Sequence, residues 1–343
     1  MKEKVIKDAA SCYGAELIKC LGGFTNQVYL LQQGQTELVL KAYRADQISY
    51  RQLHSKNVWM QALREKGMLL PLHIMTQDEK PILEREAGSE KYYFVAFSKV
   101  KGSIVHPEQW NKQLYYLWGQ SLGKMHAVAS TFNPPDEEFE LPHWSTNPLV
   151  QFSHDDFDQS VLQQFQEMVD YSASLPISTK TFGITHNDYH HENFFIHRQQ
   201  VIPIDFDDAQ YSHFFYDLAV SIYHAVQVIK TKANKLDFLL EFLPHFFRGY
   251  ESEHVSLDQF GDWKEQLPKF LSYRHLYSYV YLQLNLSNEM KNSLQPILEK
   301  MKKEILHQKP IVHLSENFLE KIRASVLEMD DRVKDTNVWN NIK

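Results

Sequence analysis

The chain has 343 residues and a net charge of −7, with 43% hydrophobic and 13% aromatic side chains, enough apolar material for a substantial core divided over two lobes. The acidic balance argues against broad binding to nucleic acid or to an anionic membrane surface. Cys12 and Cys20 are the only cysteines, which excludes a disulfide framework and suits a reducing compartment.

The charge is uneven along the chain. Residues 1–97 carry 13 Lys and Arg against 11 Asp and Glu, whereas 98–343 carry 23 against 32. The second part therefore suits a cationic or neutral polar substrate better than an acidic one, although a solvated acidic face explains the same imbalance. The start, MKEKVIKDAASCYG, lacks the apolar run of a signal peptide. No apolar stretch approaches the length needed to span a bilayer, and YYFVAF is among the longest. The expected location is the cytoplasm.

In chain order, residues 4–18 read as a short amphipathic helix. A Gly-Gly turn in LGGFTNQVYLL leads into a strand, and residues 26–42 read as a β-hairpin turning at QQGQT. Residues 48–66 are helical by period, and LHIMT, PILER and YYFVAF follow as strand-like pieces. These form an N-lobe of β-rich character over 1–97. SKVKGS, residues 98–103, is a polar hinge. The C-lobe, 104–343, is mostly helical, with helices expected over 109–128, 159–173, 215–232, 235–252, 258–287 and 313–335. NPPDEEFELPHWSTNP is a Pro-rich acidic loop. Its Asp136, Glu137, Glu138 and Glu140, with Asp155, Asp156 and Asp158 further on, are candidates either for the rim of a substrate pocket or for a flexible surface loop. One strand island, 182–206, interrupts the helices. The fold class expected is α+β.

That island holds the chemistry. THNDYHHENFFIHRQQVIPIDFDD, residues 185–208, admits two readings. His186 and His190 stand at the i, i+4 spacing of H-E-x-x-H zinc hydrolases, but Asn187 occupies the Glu position and the histidines precede strands rather than lying on a helix. The other reading is His186-x-Asp188-x-x-x-x-Asn193 followed by Ile204-Asp205-Phe206. Phosphoryl transfer from ATP needs a carboxylate to orient a hydroxyl and accept its proton, and oxygen ligands to hold Mg2+ against the phosphates. Mg2+ prefers carboxylate and amide oxygens to imidazole. A loop followed by one tight hairpin supplies all three groups: Asp188 as base, with Asn193 and Asp205 as metal ligands.

The segment resembles the superfamily of aminoglycoside phosphotransferases, choline kinases and type II homoserine kinases, which shares the protein-kinase-like, two-lobed fold. The matched pattern is His186, Asp188 and Asn193, then Ile204-Asp205-Phe206, then Asp217-Leu218-Ala219. The resemblance implies that His186 and Asp217 brace the catalytic loop. His190, His191 and His197 are expected at a pocket edge or on the surface, and Asp207 either near a second metal or substrate amine or in a solvated turn. Gly22-Gly23-Phe24-Thr25-Asn26 suits a loop over nucleotide phosphates, because glycine lets backbone approach an anion. Within it Gly22, Gly23, Thr25 and Asn26 are candidate nucleotide contacts. Lys41, ending LVLK, resembles the kinase strand lysine, and backbone groups near Ser98 and Val100 resemble the hinge that meets adenine.

One departure stands out. Kinases orient the strand lysine with a Glu on the following helix, but pattern alignment puts Lys56 there, and no Asp or Glu occurs between Asp46 and Glu65. Lys56 would repel Lys41 unless it faces solvent. Lys41 must pair with Asp205 directly, or Glu65 must reach in from the helix end, or nucleotide binding is weakened. Asn187 in place of the usual Gly is a smaller departure. The leading expectation is an ATP- and Mg2+-dependent kinase acting on a hydroxyl of a small molecule, of homoserine-kinase, aminoglycoside or choline type. The alternative is a binding or structural protein on the same fold, such as a spore-coat-associated protein.

Overall fold

A computed structural model describes residues 3–23, 27–150, 157–229 and 232–335. In chain order its elements are α1 (Glu3–Cys12), β1 (Glu16–Gly22), β2 (Gln27–Gln33), β3 (Thr36–Arg44), α2 (Tyr50–Glu65), β4 (His73–Ile74), β5 (Leu83–Ala87), β6 (Glu90–Ser98), β7 (Ser103–Ile104), α3 (Lys112–Ala129), α4 (Gln159–Ser174), β8 (Phe182–Thr185), β9 (Phe194–His197), β10 (Gln200–Pro203), β11 (Gln210–His213), α5 (Phe214–Gln227), α6 (Lys232–Glu251), α7 (Trp263–Asn285), α8 (Asn288–Leu306) and α9 (Glu316–Asp335). The α+β class holds, with an antiparallel sheet early in the chain and helices thereafter.

Two compact units form. The first comprises residues 1–103, 132–141 and 195–207, and the second comprises 104–131, 142–194 and 208–343. In the first, an antiparallel sheet runs β1-β2-β3-β6-β4, with β5 also on β6. Gly34, at φ +57, turns β2 into β3, so Gln33 pairs with Thr36 and Val28 with Lys41. Strand alternation then gives β3 two chemistries. Leu38, Leu40 and Ala42 bury against Ile6, Ala9 and Ala10 of α1, while Lys41 and Tyr43 point to the opposite face. There Tyr43, Tyr93 and Val95 pack with Leu53 of α2. Helix α2 begins at a capping box: Ser49 Oγ accepts from Gln52 N, and the Gln52 side chain accepts from Ser49 N.

In the second unit α3 and α6 meet backbone to backbone. A Cβ added at Gly119 would lie 1.8 Å from Phe246 O, one at Gly123 2.5 Å from Tyr250 O, and one at Gly249 2.0 Å from Tyr116 O. Trp118, beside Gly119, packs its edge on Phe194, Phe242 and Phe246. Strands β8 and β11 pair antiparallel, Thr185 opposite Gln210.

One expected element is misplaced and one element goes unexpected. The helix expected over 4–18 stops at Cys12, and residues 16–22 form the edge strand β1. Residues 288–306, left unassigned, form α8 behind a Ser287 N-cap. Among the described residues no helix is long and apolar enough to cross a membrane.

Candidate active site

The first unit gathers one group of the expected residues. Lys41, Ser98, Val100 and Asp205 line a single cavity of about 320 Å3, together with apolar side chains such as Val28 and Val39. Ser98 N–H donates to Leu72 O at 2.8 Å and Ser98 Oγ accepts from Leu72 N at 2.8 Å, so the carbonyl is the backbone group this residue can still offer a ligand. Gly22 and Gly23 have φ of +98° and +130°, values that only glycine adopts without strain. Leu21, just before them, lines the cavity. Thr25 and Asn26 lie outside the described residues.

Lys41 is held by two acids. Its Nζ donates to Asp205 Oδ1 at 2.6 Å and to Asp207 Oδ2 at 3.0 Å. Tyr43 O–H donates to the other Asp207 oxygen at 2.8 Å, and Lys56 Nζ donates to the Asp207 backbone carbonyl. Lys56 does not face solvent: it is buried and turned to a carbonyl dipole on the acid that pairs with Lys41. Glu65 does not reach in; it accepts from Gln61 one turn back. Nor is Asp207 a solvated turn residue. Its side chain is 22% exposed, against 43% for Asp205. Burial works against the charged Lys41, but Asp207, Tyr43 and Asp205 hold its pKa well above the ordinary value. For Asp207 burial is outweighed by Lys41 and Lys56, and its carboxyl stays below the usual range.

The second unit gathers the other group on the loop between β8 and β9. Asp217, fully buried in the first turn of α5, accepts from His186 N at 2.9 Å and from Asn187 N at 2.8 Å. It also takes His126 Nε2 at 3.1 Å, while His126 Nδ1 meets Tyr250 O–H at 2.9 Å. Burial lowers the His126 pKa, so the neutral ring donates at Nε2 and accepts at Nδ1. Asn187 has φ +67, a left-handed conformation that Gly takes freely and Asn tolerates best among the rest. This explains its standing in for Gly, and its Oδ1 accepts from Gln210 Nε2 at 3.0 Å. The loop is further fixed by Tyr189, whose O–H meets Ser121 Oγ at 2.9 Å and whose carbonyl accepts from Ser221 at 2.6 Å.

Asn193 Nδ2 donates to Asp188 O at 2.8 Å and to Asp188 Oδ2 at 3.0 Å. Its nitrogen is thereby engaged, and Oδ1 is the atom it can present to a cation. Asp188 itself sits among cationic and aromatic neighbours, of which sequence reasoning singles out His190 but not Arg274 or His224. Arg274 donates to Asp188 Oδ1 at 2.7 Å and to His224 Nε2 at 2.9 Å, and His190 Nε2 lies 3.3 Å from Asp188 Oδ2. The His190 and His224 rings stack at 4.5 Å. Burial would raise the Asp188 pKa, but the hydrogen bond from His190 and the charge of Arg274 hold it below the usual carboxylate range. Burial and the neighbouring guanidinium push His224 well below the ordinary histidine value. A signal for Arg274 did exist: it lies seven residues after Leu267 and four after Phe270, on the buried stripe of α7, where an unpaired charge would be costly.

The histidines of the zinc reading go separate ways, His186 against Tyr189 and His190 against Asp188. Among the described residues no three His, Cys, Asp or Glu side chains cluster as a metal site. The acidic segment 136–140 docks on α2, since Arg51 donates to the Glu137 and Glu138 carbonyls and Glu140 N–H donates to Ser55 Oγ. Asp155 and Asp156 lie outside the described residues.

Residues 16–260 match the phosphotransferase enzyme family known as APH. The amicoumacin kinase of Bacillus subtilis (strain 168) is 26% identical over 286 residues, covering 81% of this chain and 84% of that protein. The structure of an amicoumacin kinase in complex with AMP-PNP, Ca2+ and Ami superposes with a TM-score of 0.84 at 25% identity, covering 93% of this chain and 96% of the other. A microcompartment-associated aminopropanol kinase shares the fold, with a TM-score of 0.70 at 17% identity over 89% and 95% of the two chains.

Proposed function

Because the chain belongs to the phosphotransferase enzyme family, we propose that it transfers the γ-phosphoryl group of ATP to a hydroxyl of a small molecule, with Mg2+ as the cation. The observation that carries this reading is the cavity that Lys41, Asp205, Ser98 and Val100 line together. Its apolar walls suit a purine. Lys41, charged at any physiological pH, would steady the phosphates. Asp205 and Asn193 Oδ1 are the hard oxygen donors that Mg2+ prefers. When bound, that cation neutralises charge on the phosphates.

Asp188, kept ionised and oriented by Arg274, would accept the hydrogen bond of the acceptor hydroxyl. As the new oxygen–phosphorus bond forms and the bond to the departing ADP oxygen breaks, the hydroxyl proton passes to Asp188. A weakly basic carboxylate suffices, because the loose transition state of phosphoryl transfer asks mainly for positioning. The names of the relatives put amicoumacin and aminopropanol in the acceptor search, and the sequence resemblance adds the amino or ammonium alcohols homoserine, choline and aminoglycosides. The acidic composition of 98–343 favours such cations. The alternative of a weakened, structural protein rested on the missing helix acid, and the two ion pairs of Lys41 remove that support.

The test is thermal shift with ATP, with and without Mg2+, since a ligand that binds only the folded state raises Tm, followed by ADP release over this acceptor panel. Asp188→Asn is expected to abolish turnover and leave the MgATP shift in place. A wild-type protein whose melting is unmoved by MgATP refutes the proposal.

A further inference from the structure

The strand lysine of a kinase works only if an acid aims it, and α2 supplies none. The residue in the helix position is Lys56, and it touches Asp207 rather than Lys41. Asp205 alone is a poor substitute, because the reading above assigns it to the cation. It is also the more exposed of the two acids, at 43% against 22%. Once Asp205 turns to a metal, Lys41 needs another anion to hold its position.

Asp207 meets that need, with both carboxylate oxygens and its backbone carbonyl engaged at once. One carboxylate oxygen holds Lys41 at 3.0 Å, the other takes the Tyr43 hydroxyl at 2.8 Å, and its backbone carbonyl takes Lys56. Tyr43 stands two residues from Lys41 on the same face of β3, so the strand that carries the lysine also fixes the acid that aims it. From the helix side, Lys56 pins the same residue and offsets its charge. Lys41, Lys56, Asp205 and Asp207 together sum to zero, so a lysine is the residue that fits α2 when both acids follow β10.

We propose that Asp207 is the positioning residue that holds Lys41 for the nucleotide phosphates, with Tyr43 and Lys56 as its supports, in place of an acid on α2. The inference rests on the phosphotransfer reading and has consequences of its own. One of them is an exchange: because both Lys41 and Lys56 touch Asp207, a carboxylate at position 56 should take over the anchoring of Lys41.

The experiment measures the Kd of Mg2+–AMP-PNP by calorimetry for wild type, Asp207→Asn, Asp207→Asn with Lys56→Glu, and Tyr43→Phe, with Tm recorded for each. Asp207→Asn should weaken binding roughly 10- to 100-fold, the size of one charge-assisted hydrogen bond, and adding Lys56→Glu should restore about tenfold or more. Tyr43→Phe should weaken it severalfold and stands as the readout if Asp207→Asn does not fold. Binding within about threefold of wild type in a folded Asp207→Asn overturns the proposal, as does a folded double variant with no recovery. If Asp207→Asn does not fold, unchanged affinity in Tyr43→Phe does the same. A wild type that binds no nucleotide overturns the phosphotransfer reading itself, and this one with it.

Discussion

Asp217→Ala tests how the catalytic loop is held. Three donors converge on this fully buried carboxylate: His186 N at 2.9 Å, Asn187 N at 2.8 Å and His126 Nε2 at 3.1 Å. Each donor left without a partner in the interior costs about 1–3 kcal/mol, partly offset because a buried charge is also removed, so the net loss should be about 3–5 kcal/mol. That is a large share of the roughly 5–15 kcal/mol by which folded proteins exceed unfolded ones. The loop should suffer more than the rest, since Asn187 is left-handed and loses the acceptor that keeps it so. Urea unfolding followed by tryptophan fluorescence gives the stability change, and ADP release gives the functional one. A loss below about 1 kcal/mol would refute the accounting, because it would mean that water or another acceptor reaches all three donors freely.

Arg274→Ala should cut ADP release by roughly 10- to 100-fold through loss of one charge-assisted bond to Asp188, with the Kd for Mg2+–AMP-PNP little changed; an equal fall in both would point to unfolding instead. Gly119→Ala would gain about 1 kcal/mol from helix propensity alone, but a Cβ 1.8 Å from Phe246 O forces α3 and α6 apart at a cost of about 2–4 kcal/mol, so Tm should fall. A rise in Tm would show that the crossing has room to spare. His213 and His275 are buried, with pKa values lowered by burial to about 4 from the ordinary 6.5. Unfolded, they take up protons near pH 6.5 and folded only near 4, so stability is full above 6.5 and is lost as pH falls between those values, about 2 kcal/mol for each histidine from pH 7 to pH 5. Urea midpoints at the two pH values, with His213→Gln to flatten the dependence, check this; equal midpoints for wild type would contradict it.

What could be read from the sequence was what is local in it. The Asp188–Asn193 spacing, the 26–42 hairpin and the strand position of Lys41 all depend on residues a few places apart, and periodicity reports such relations directly. β1 escaped because six of its seven residues are exposed and the other is half-buried, so no inside–outside alternation marks it. α8 escaped because Pro296 breaks its pattern and only Leu298, Met301 and Ile305 bury. The partner of Lys56 is hidden for a different reason: it is a backbone carbonyl 151 residues away, and side-chain charge alone cannot indicate a dipole. Arg274 likewise meets Asp188 across 86 residues, a distance that only the tertiary fold closes.

The fixing of the 186–193 loop has a bearing on engineering. Its anchors come from α3 through Ser121 and His126, from α5 through Asp217 and Ser221, and, behind His126, from Tyr250 of α6. The loop is therefore not a portable cassette. Transplanting those eight residues into a related scaffold would carry the functional side chains but leave behind the three helices that shape them. Redesign for a new acceptor should graft in the opposite direction, keeping this loop with its helices and exchanging the surroundings.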